Sequence, residues 1–244
     1  MLEDALRFPW NGEKKGETLL VGGLLSLLGF LFVPLLFVYG YLVRVIRAVA
    51  AGETDRPPVF DDWGELLVDG VVAFVISLAY LVVPTVAIAF VGGLFLFPVV
   101  VVEGSAAGAV GPRSGLLAVG GLLLALLALS TSFLLLLAAA YLAPAGVAAF
   151  ARTGRFGAAF SPSHLRTVGG DRRYATGWLV AVVVGFLAQV VAGAVGATGL
   201  GALLVPFVLF YGSVASAYAI GVGVSELGLA AETDEESTAS QPAV

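Results

Sequence analysis

Four carboxylates between positions 61 and 69 are the residues best suited to chemistry. Asp62, Glu65 and Asp69 recur at steps of three and four residues, so on a helix they share one face. Such a face could bind a cation, or two of its members could act as a general acid and base. The same pattern is typical of a solvated helix face with Asp61 or Asp62 as its N-cap. We interpret the carboxylates in this second way.

Apolar residues occupy the opposite face of the same stretch. Pro57 and Pro58 break any preceding helix, and Trp63 and Leu66 then recur at helical spacing. A short helix with one charged and one apolar face lies along a membrane surface. We therefore predict an interfacial acidic helix, whose members are Asp61, Asp62, Trp63, Glu65 and Asp69.

A second group that could do chemistry contains Ser161, Ser163, His164 and Asp171. Serine and histidine adjacent in sequence rarely face each other productively, and Ser161 is better placed as a helix N-cap. The chain has no cysteine and one histidine, which excludes thiolate and multi-histidine metal sites. It also lacks a phosphate-binding loop or a nucleophile-elbow motif. We expect no catalytic residue, metal or cofactor, and no enzyme activity.

A basic loop follows the third long apolar stretch, and only Asp171 opposes its charge. Its arginines are Arg152, Arg155, Arg166, Arg172 and Arg173. Each basic residue near a bilayer gains about 1 kcal/mol from anionic headgroups, and Phe156 and Phe160 could insert as apolar anchors. The arginines could instead only fix the orientation of the chain, or pair with the acidic stretch. Membrane lipids are the expected partners, with a protein partner or a second copy as the alternative and no nucleic acid.

Composition sets the class of protein in which these residues are placed. The 244 residues are 59% apolar and only 12% charged, with a mean hydropathy of +1.03. A soluble domain is about a quarter charged. Several apolar runs also exceed the roughly 20 residues that a membrane helix needs. The sequence therefore predicts an all-α integral membrane protein.

The apolar runs divide the chain into a leader, a membrane domain and a tail. Residues 1–18 form an amphipathic leader, residues 19–225 the helical membrane domain, and residues 226–244 an acidic tail whose composition predicts disorder. Two amphipathic interfacial helices lie between the spans. The five predicted spans cover residues 19–43, 71–102, 116–143, 178–198 and 202–224.

Two of these spans contain helix breakers. Pro34 predicts a kink in the first span. One helix over 71–102 would be about 48 Å long against a hydrocarbon core of about 30 Å. We therefore expect a break at Pro84, at Gly92 and Gly93, or at Pro98. The alternative is a hairpin of two short spans, which would give six crossings.

Two further patterns concern the arrangement of the spans. Tyr41, Ala51, Phe60, Val68 and Gly70 recur one hundred positions later as the same residue types, which suggests an internal duplication. Small residues also repeat every fourth place in the last two spans, which predicts close helix packing. They are Gly193, Ala197 and Gly201, then Ala215, Ala219 and Gly223.

The distribution of basic residues predicts orientation in the cell membrane. With five spans and a cytoplasmic C-terminus, eight of the twelve Lys and Arg residues lie inside. Six spans with both ends inside give the same result, so the side of the N-terminus stays open.

Six segments carry a resemblance to a known family. They read ALRFPW, GYLVRVIRAVAAGE, PVFDDWGELLVDG, ARTGRFGAAFSPSHLR, RRYATGWL and PFVLFYGSVASAYAIG. The chain resembles the archaeal and bacterial membrane family called domain of unknown function 4013. This resemblance implies an integral membrane protein with no established activity. The acidic tail and ten Arg against two Lys also suggest a halophilic archaeal source.

Three classes of function follow. We expect a non-catalytic membrane module that binds lipid or a protein partner through its cytoplasmic loops. The first alternative is a transporter or channel for a neutral or small solute, although the predicted spans lack the ionisable groups that ion-driven transporters use. The second alternative is a membrane-embedded enzyme.

Overall fold

The chain folds into helices joined by short turns. The structure, a computed structural model, describes residues 1–12, 14–105, 112–225 and 227, with the backbone alone given for 91–92, 94–105 and 112–118. No strand occurs in these ranges. The helices are α1 (Leu2–Arg7), α2 (Lys15–Leu27), α3 (Val33–Ala50), α4 (Trp63–Ser105), α5 (Pro112–Thr153), α6 (Pro162–Gly169), α7 (Arg172–Gly196) and α8 (Val205–Val224).

Five helical stretches of the described chain are long and apolar enough to cross a bilayer. They are Val33–Ala50, Trp63–Phe90, Val119–Thr153, Arg172–Gly196 and Leu200–Val224. The predicted all-α class and the number of long apolar helices are confirmed. The chain divides into two compact units, residues 1–76 with 144–244 and residues 77–143.

An antiparallel hairpin of α7 and α8 is the centre of the first unit. The hydroxyl of Ser216 in α8 donates to the carbonyl oxygen of Ala181 in α7 at 3.1 Å. Ala215 and Ala219 are fully buried, so the predicted small-residue packing holds for α8. It fails for Gly193, since a Cβ there would meet no atom within 4 Å.

Residues 1–12 and 14–27 pack against α8 at several points. Met1 and Val222 line a common cavity at the C-terminal end of α8, and Phe8 packs on Tyr218 with ring centroids 4.5 Å apart. Farther along, Gly23 of α2 lies against the ring of Phe207. The predicted amphipathic leader is therefore docked on α8, with Phe8 fully buried.

The chain reverses direction after α2. A 3-10 turn at Leu28–Leu31 and a positive φ of 65° at Phe32 separate α2 from α3. α3 then returns along α8, with Tyr41 near Phe210 at 5.7 Å between ring centroids and Val49 against Gly221. The single kinked span predicted over residues 19–43 is wrong. Pro34 lies in the first turn of α3, where its missing N–H would have no helical partner, so it starts a helix.

α3 and α4 cross at very close range. A Cβ on Gly40 would lie 1.9 Å from the carbonyl oxygen of Leu66, and one on Gly70 would lie 1.8 Å from that of Leu36. Only glycine fits at these two positions, because any side chain would overlap the backbone of the other helix. The crossing is antiparallel and brings the start of α4 beside the middle of α3.

α4 differs from both predictions for residues 71–102. It is one continuous helix from Trp63 to Ser105, without a break at Pro84, Gly92, Gly93 or Pro98 and without a hairpin. A proline removes one backbone hydrogen bond, whereas ending a helix within a bilayer would leave several backbone groups unsatisfied. Continuing the helix is therefore the smaller cost.

α5 also runs further than predicted. It passes through Pro144 and ends at Thr153, whereas the predicted span ends at residue 143. In the second unit the hydroxyls of Ser130 and Ser132 donate to the carbonyl oxygens of Leu126 and Ala128, both at 2.7 Å. Large apolar side chains there are mostly exposed, among them Val83, Phe90 and Phe133. This exposure is typical of a lipid-facing surface.

The remaining predictions concern the loops and the tail. The second interfacial helix corresponds to α6, eight residues long. The internal duplication stays a prediction. The predicted disordered tail at 226–244 lies outside the described residues, apart from Leu227.

Candidate functional site

The acidic residues at the start of α4 meet two arginines of α3. Arg44 contacts Asp61 and lies 3.3 Å from the carboxylate of Glu65. Arg47 lies 3.1 Å from Glu65 and 2.9 Å from the carboxylate of Asp69. We call these five residues the ion-pair cluster. It joins α3 to the start of α4 next to the glycine crossing.

Backbone contacts hold the preceding loop against α3 as well. The guanidinium of Arg44 donates to the carbonyl oxygens of Val59 at 3.2 Å and Asp61 at 3.0 Å. The hydroxyl of Tyr41 donates to the carbonyl oxygen of Pro58 at 3.0 Å, and its ring stacks on Phe60 at 4.2 Å. The loop before α4 is therefore a packed part of the first unit.

Asp62 has a different role from the other carboxylates. Its Oδ1 accepts a hydrogen bond from the backbone N–H of Glu65 at 3.1 Å, and its φ is 41°. The side-chain hydrogen bond is that of an N-cap, although the left-handed backbone is unusual for one. Of the two residues predicted to cap the helix, Asp61 or Asp62, it is Asp62 that makes this contact.

The prediction of a separate interfacial acidic helix is wrong. Trp63, Glu65 and Asp69 form the first two turns of the long helix α4. Trp63 is 46% exposed and packs on Phe37 at 5.3 Å, but Leu66 is fully buried. The face is not simply solvated, since Asp61, Glu65 and Asp69 all contact arginines.

The ion pairs of Arg44 and Arg47 in α3 are the part of the candidate site that the sequence analysis did not predict. In the sequence, Arg44 and Arg47 mark the end of a predicted span. A signal was present, because residues three apart share a helix face, as do Glu65 and Asp69 four apart. Two complementary faces on consecutive helices predict pairing across an antiparallel crossing.

Two contacts extend this network to α5 and α8. Arg47 Nε donates to the carbonyl oxygen of Ala151 in α5 at 3.0 Å. Arg152 donates to the carbonyl oxygen of Val224, in the last turn of α8. A cation at a helix C-terminus satisfies a carbonyl that has no helical partner. Arg152 of the predicted basic loop thus makes a structural contact.

The remaining basic-loop residues are exposed. Arg155 follows α5, Arg166 lies in α6, and Arg172 and Arg173 begin α7. In the part of the chain that the structure describes, Arg155, Arg166 and Arg172 form no ion pair. We call these three arginines the basic surface. The exposed rings of Phe156 and Phe160 follow Arg155 in the chain, with their centroids 5.3 Å apart.

The serine and histidine group has other partners. Ser161 Oγ lies 2.8 Å from Ser163 Oγ, and Asp171 accepts a hydrogen bond from the backbone N–H of Arg173 at 2.6 Å. Asp171 is therefore the N-cap of α7. Over the described ranges, no group of three or more His, Asp or Glu residues could hold a metal ion.

The comparison with protein families decides the identity. Residues 24–197 match a family described as protein of unknown function, DUF4013. The chain belongs to the DUF4013 family. No curated protein and no solved structure matches this DUF4013 chain. The matched range includes the ion-pair cluster and the basic surface, and it leaves out α1 and α8.

Proposed function

We propose that this DUF4013 protein is a non-catalytic membrane module that binds anionic lipid headgroups at its basic surface. The observation that carries the proposal is that some arginines make internal contacts whereas others are exposed. Arg44, Arg47 and Arg152 make internal contacts, whereas Arg155, Arg166 and Arg172 are exposed without an ion pair among the described residues. Exposed cations beside aromatic side chains are a common lipid-contacting arrangement.

The alternative, pairing between the acidic stretch and the basic loop, is disfavoured because the acidic residues have other partners. Asp61, Glu65 and Asp69 already contact the arginines of α3. Their charge is therefore largely compensated within the first unit. This supports an external anion as the ligand of the basic surface.

The expected energy depends on salt. Three arginines at about 1 kcal/mol each would favour an anionic over a neutral lipid by about a hundredfold at ordinary ionic strength. At about 1 M salt the screening length falls to about 3 Å. In the salt-rich cytoplasm of a halophile, only direct contact with the headgroup would then contribute.

The experiment compares lipid selectivity before and after charge removal. The detergent-solubilised full chain is titrated with phosphatidylglycerol and with phosphatidylcholine, and bound lipid is counted by native mass spectrometry. We expect the triple variant Arg155→Gln, Arg166→Gln and Arg172→Gln to lose the preference for the anionic lipid. Arg56→Gln, which removes one exposed charge from the other loop, is the control and should keep it.

A second outcome would leave the arginines with a topological role alone. If the triple variant keeps its lipid preference but inserts in altered orientation, the proposal is wrong. Capture of an acidic protein partner with unchanged lipid selectivity would favour the partner alternative instead.

The orientation of the chain belongs to the same proposal. We place the C-terminal end of α8 on the cytoplasmic side of the cell membrane. What supports this is that Met1, the end of α3 and the end of α5 meet there: Met1 shares a cavity with Val222, Arg47 of α3 donates to Ala151 of α5, and Arg152 of α5 donates to Val224 of α8. From the end of α5 to the start of α7 the chain also carries Arg152, Arg155, Arg166, Arg172 and Arg173, and such a run of basic residues beside the spans favours the cytoplasmic side.

One observation favours the transporter alternative. The spans of the structure do contain ionisable residues, since Arg44 and Arg47 lie in α3 and Asp69 in α4. Ionisable groups within spans are typical of ion pathways. The contacts within the cluster nevertheless fit a structural clamp better, because each carboxylate already contacts a guanidinium. Lipid binding is therefore the function that we place before transport and before catalysis.

A further inference from the structure

An apolar cavity of about 510 Å³ lies within the first unit, among α1, α2, α7 and α8. Leu6, Leu19, Val184, Val191 and Val208 line it. Its volume falls in the range of small-molecule sites. The hydroxyl of Tyr211, which also lines the cavity, already donates to the carbonyl oxygen of Leu6. The cavity therefore suits an apolar ligand.

A second cavity of about 280 Å³ lies farther along the same hairpin. Arg172, Arg173, Thr176, Val222 and Ser225 line it together with Met1. This cavity is partly polar, and Arg172 carries an exposed positive charge into it. An anionic group is the complementary occupant. Helix α1 and the residue before it contribute to both cavities, through Leu6 at one and Met1 at the other.

The separation of the two cavities matches the dimensions of a lipid. Val222 of the polar cavity and Gly212 of the apolar cavity are ten residues apart in α8, which is about 15 Å. One leaflet, headgroup included, is about 20–22 Å thick. A headgroup at Arg172 could therefore be joined to a hydrocarbon chain that enters the apolar cavity.

We propose that one anionic phospholipid binds lengthwise along the α7–α8 hairpin, with its phosphate at Arg172 and one chain in the apolar cavity. This rests on the proposed function and deepens it, because it names the ligand as a whole lipid held by head and chain. A second copy of the protein is a poorer occupant, since the cavity is a narrow groove open at the surface and lined by residues of α1, α2, α7 and α8, which admits a single hydrocarbon chain more readily than a helix.

The cavity contributes selectivity by its fit to the lipid chain. Within a bilayer, lipid tails are as apolar as the cavity wall, so moving a chain into the cavity gains little from the hydrophobic effect. The bound lipid is instead selected over other lipids by how well its chain packs against the wall of the preformed cavity. Chain length is therefore the property to vary.

The test compares two valines of α7 at the same depth. Val191 lines the apolar cavity and is 48% exposed, whereas Val190 does not line it and is 52% exposed. The full chain and the variants Val191→Trp and Val190→Trp are titrated with phosphatidylglycerol carrying long chains or six-carbon chains. The measured quantity is the ratio of the two dissociation constants.

We expect Val191→Trp to bind the long-chain lipid about tenfold more weakly, equivalent to about 1.4 kcal/mol, with unchanged short-chain binding. Val190→Trp should keep the ratio of the unsubstituted protein. An equal ratio in all three proteins would overturn the chain site. Headgroup selectivity is measured separately, by phosphatidylglycerol against phosphatidylcholine, so the proposed function can stand while this inference fails.

A second measurement needs no substitution. A phosphatidylglycerol with a photoreactive diazirine in its chain is cross-linked to the unsubstituted protein, and labelled peptides are mapped by mass spectrometry. Label concentrated at cavity residues such as Leu19, Val191 and Val208 supports the inference. Label only on outward-facing residues of α7 such as Phe186 contradicts it.

Discussion

At the scale of single residues, Arg47 joins α3 to both α4 and α5. It contacts Glu65 and Asp69 of α4 and donates to the carbonyl oxygen of Ala151 in α5. Asp69 is only 7% exposed, so its charge depends on this partner. A buried carboxylate that loses its partner costs far more than an exposed ion pair contributes.

Replacing Arg47 should therefore expose this dependence. We expect Arg47→Gln to lower the free energy of unfolding by about 3 kcal/mol, because Asp69 is left without its cation. Thermal unfolding in detergent, followed by tryptophan fluorescence, measures the change. Arg56→Gln is the control and should have an effect below about 0.5 kcal/mol, as is usual at exposed positions.

A double variant separates charge burial from general damage. Arg47→Gln with Asp69→Asn removes both members of the pair, so it should recover part of the stability lost in Arg47→Gln alone. If the double variant is less stable than the single one by the full effect of Asp69→Asn, the two side chains are not coupled as the structure indicates.

At the scale of elements, the crossing of α3 and α4 determines where the charges meet. Gly40 and Gly70 let the two backbones touch, and the cluster forms on the adjoining turns. Arg44 contacts Asp61, just before α4, and Glu65 in its first turn, whereas Arg47 contacts Glu65 and Asp69 in its second turn. The geometry of the crossing thus selects the ion pairs.

A methyl group at the crossing should separate the helices. We expect Gly40→Ala to destabilise the protein by about 1–3 kcal/mol, since its Cβ would lie 1.9 Å from the carbonyl oxygen of Leu66. Thermal unfolding measures this loss. The matched control is Gly193→Ala in α7, where a Cβ meets no atom within 4 Å. Alanine there should be neutral or should stabilise by up to about 1 kcal/mol through helix propensity. Equal effects of the two variants would contradict the close crossing.

At the scale of the whole molecule, the reversal between α2 and α3 sets the topology. A Cβ on Gly12, before α2, would lie 3.7 Å from Arg56 in the loop after α3. From there α2 runs along α8 past Phe210 and Phe207, and α3 returns, so the start of α2 and the loop after α3 lie at the same end of the first unit. α5 is one helix, which puts Arg113 and Arg152 at its opposite ends.

Cysteine labelling tests this arrangement, and the chain has no cysteine of its own. We expect single cysteines at Glu3, Thr54 and Arg155 to react with a membrane-impermeant maleimide from the cytoplasmic side. Cysteines at Ser114 and Leu200 should react from the other side. Reaction of position 3 together with position 114, rather than with position 155, would contradict the reversal. The C-terminal tail, predicted to be cytoplasmic and disordered, is tested in the same assay with a cysteine at Ser240.

The sequence by itself determined the membrane class, the helical content and the family. These follow from apolar composition and from the length of uninterrupted apolar runs, which are local properties of the chain. The same local information supported the N-cap contact of Asp62, whose partner lies only three residues away.

Only the tertiary structure decided which charges are compensated and which remain exposed. Arg47 and Ala151 meet across more than one hundred residues, and the pairs of Arg44 and Arg47 with α4 depend on a helix crossing that hydropathy does not encode. The effect of a proline cannot be read from the sequence alone either, since Pro34 starts a helix, whereas α4 continues through Pro84. A proline removes one hydrogen bond wherever it stands. Whether a helix ends there depends on whether water, protein or lipid surrounds the groups that would be freed.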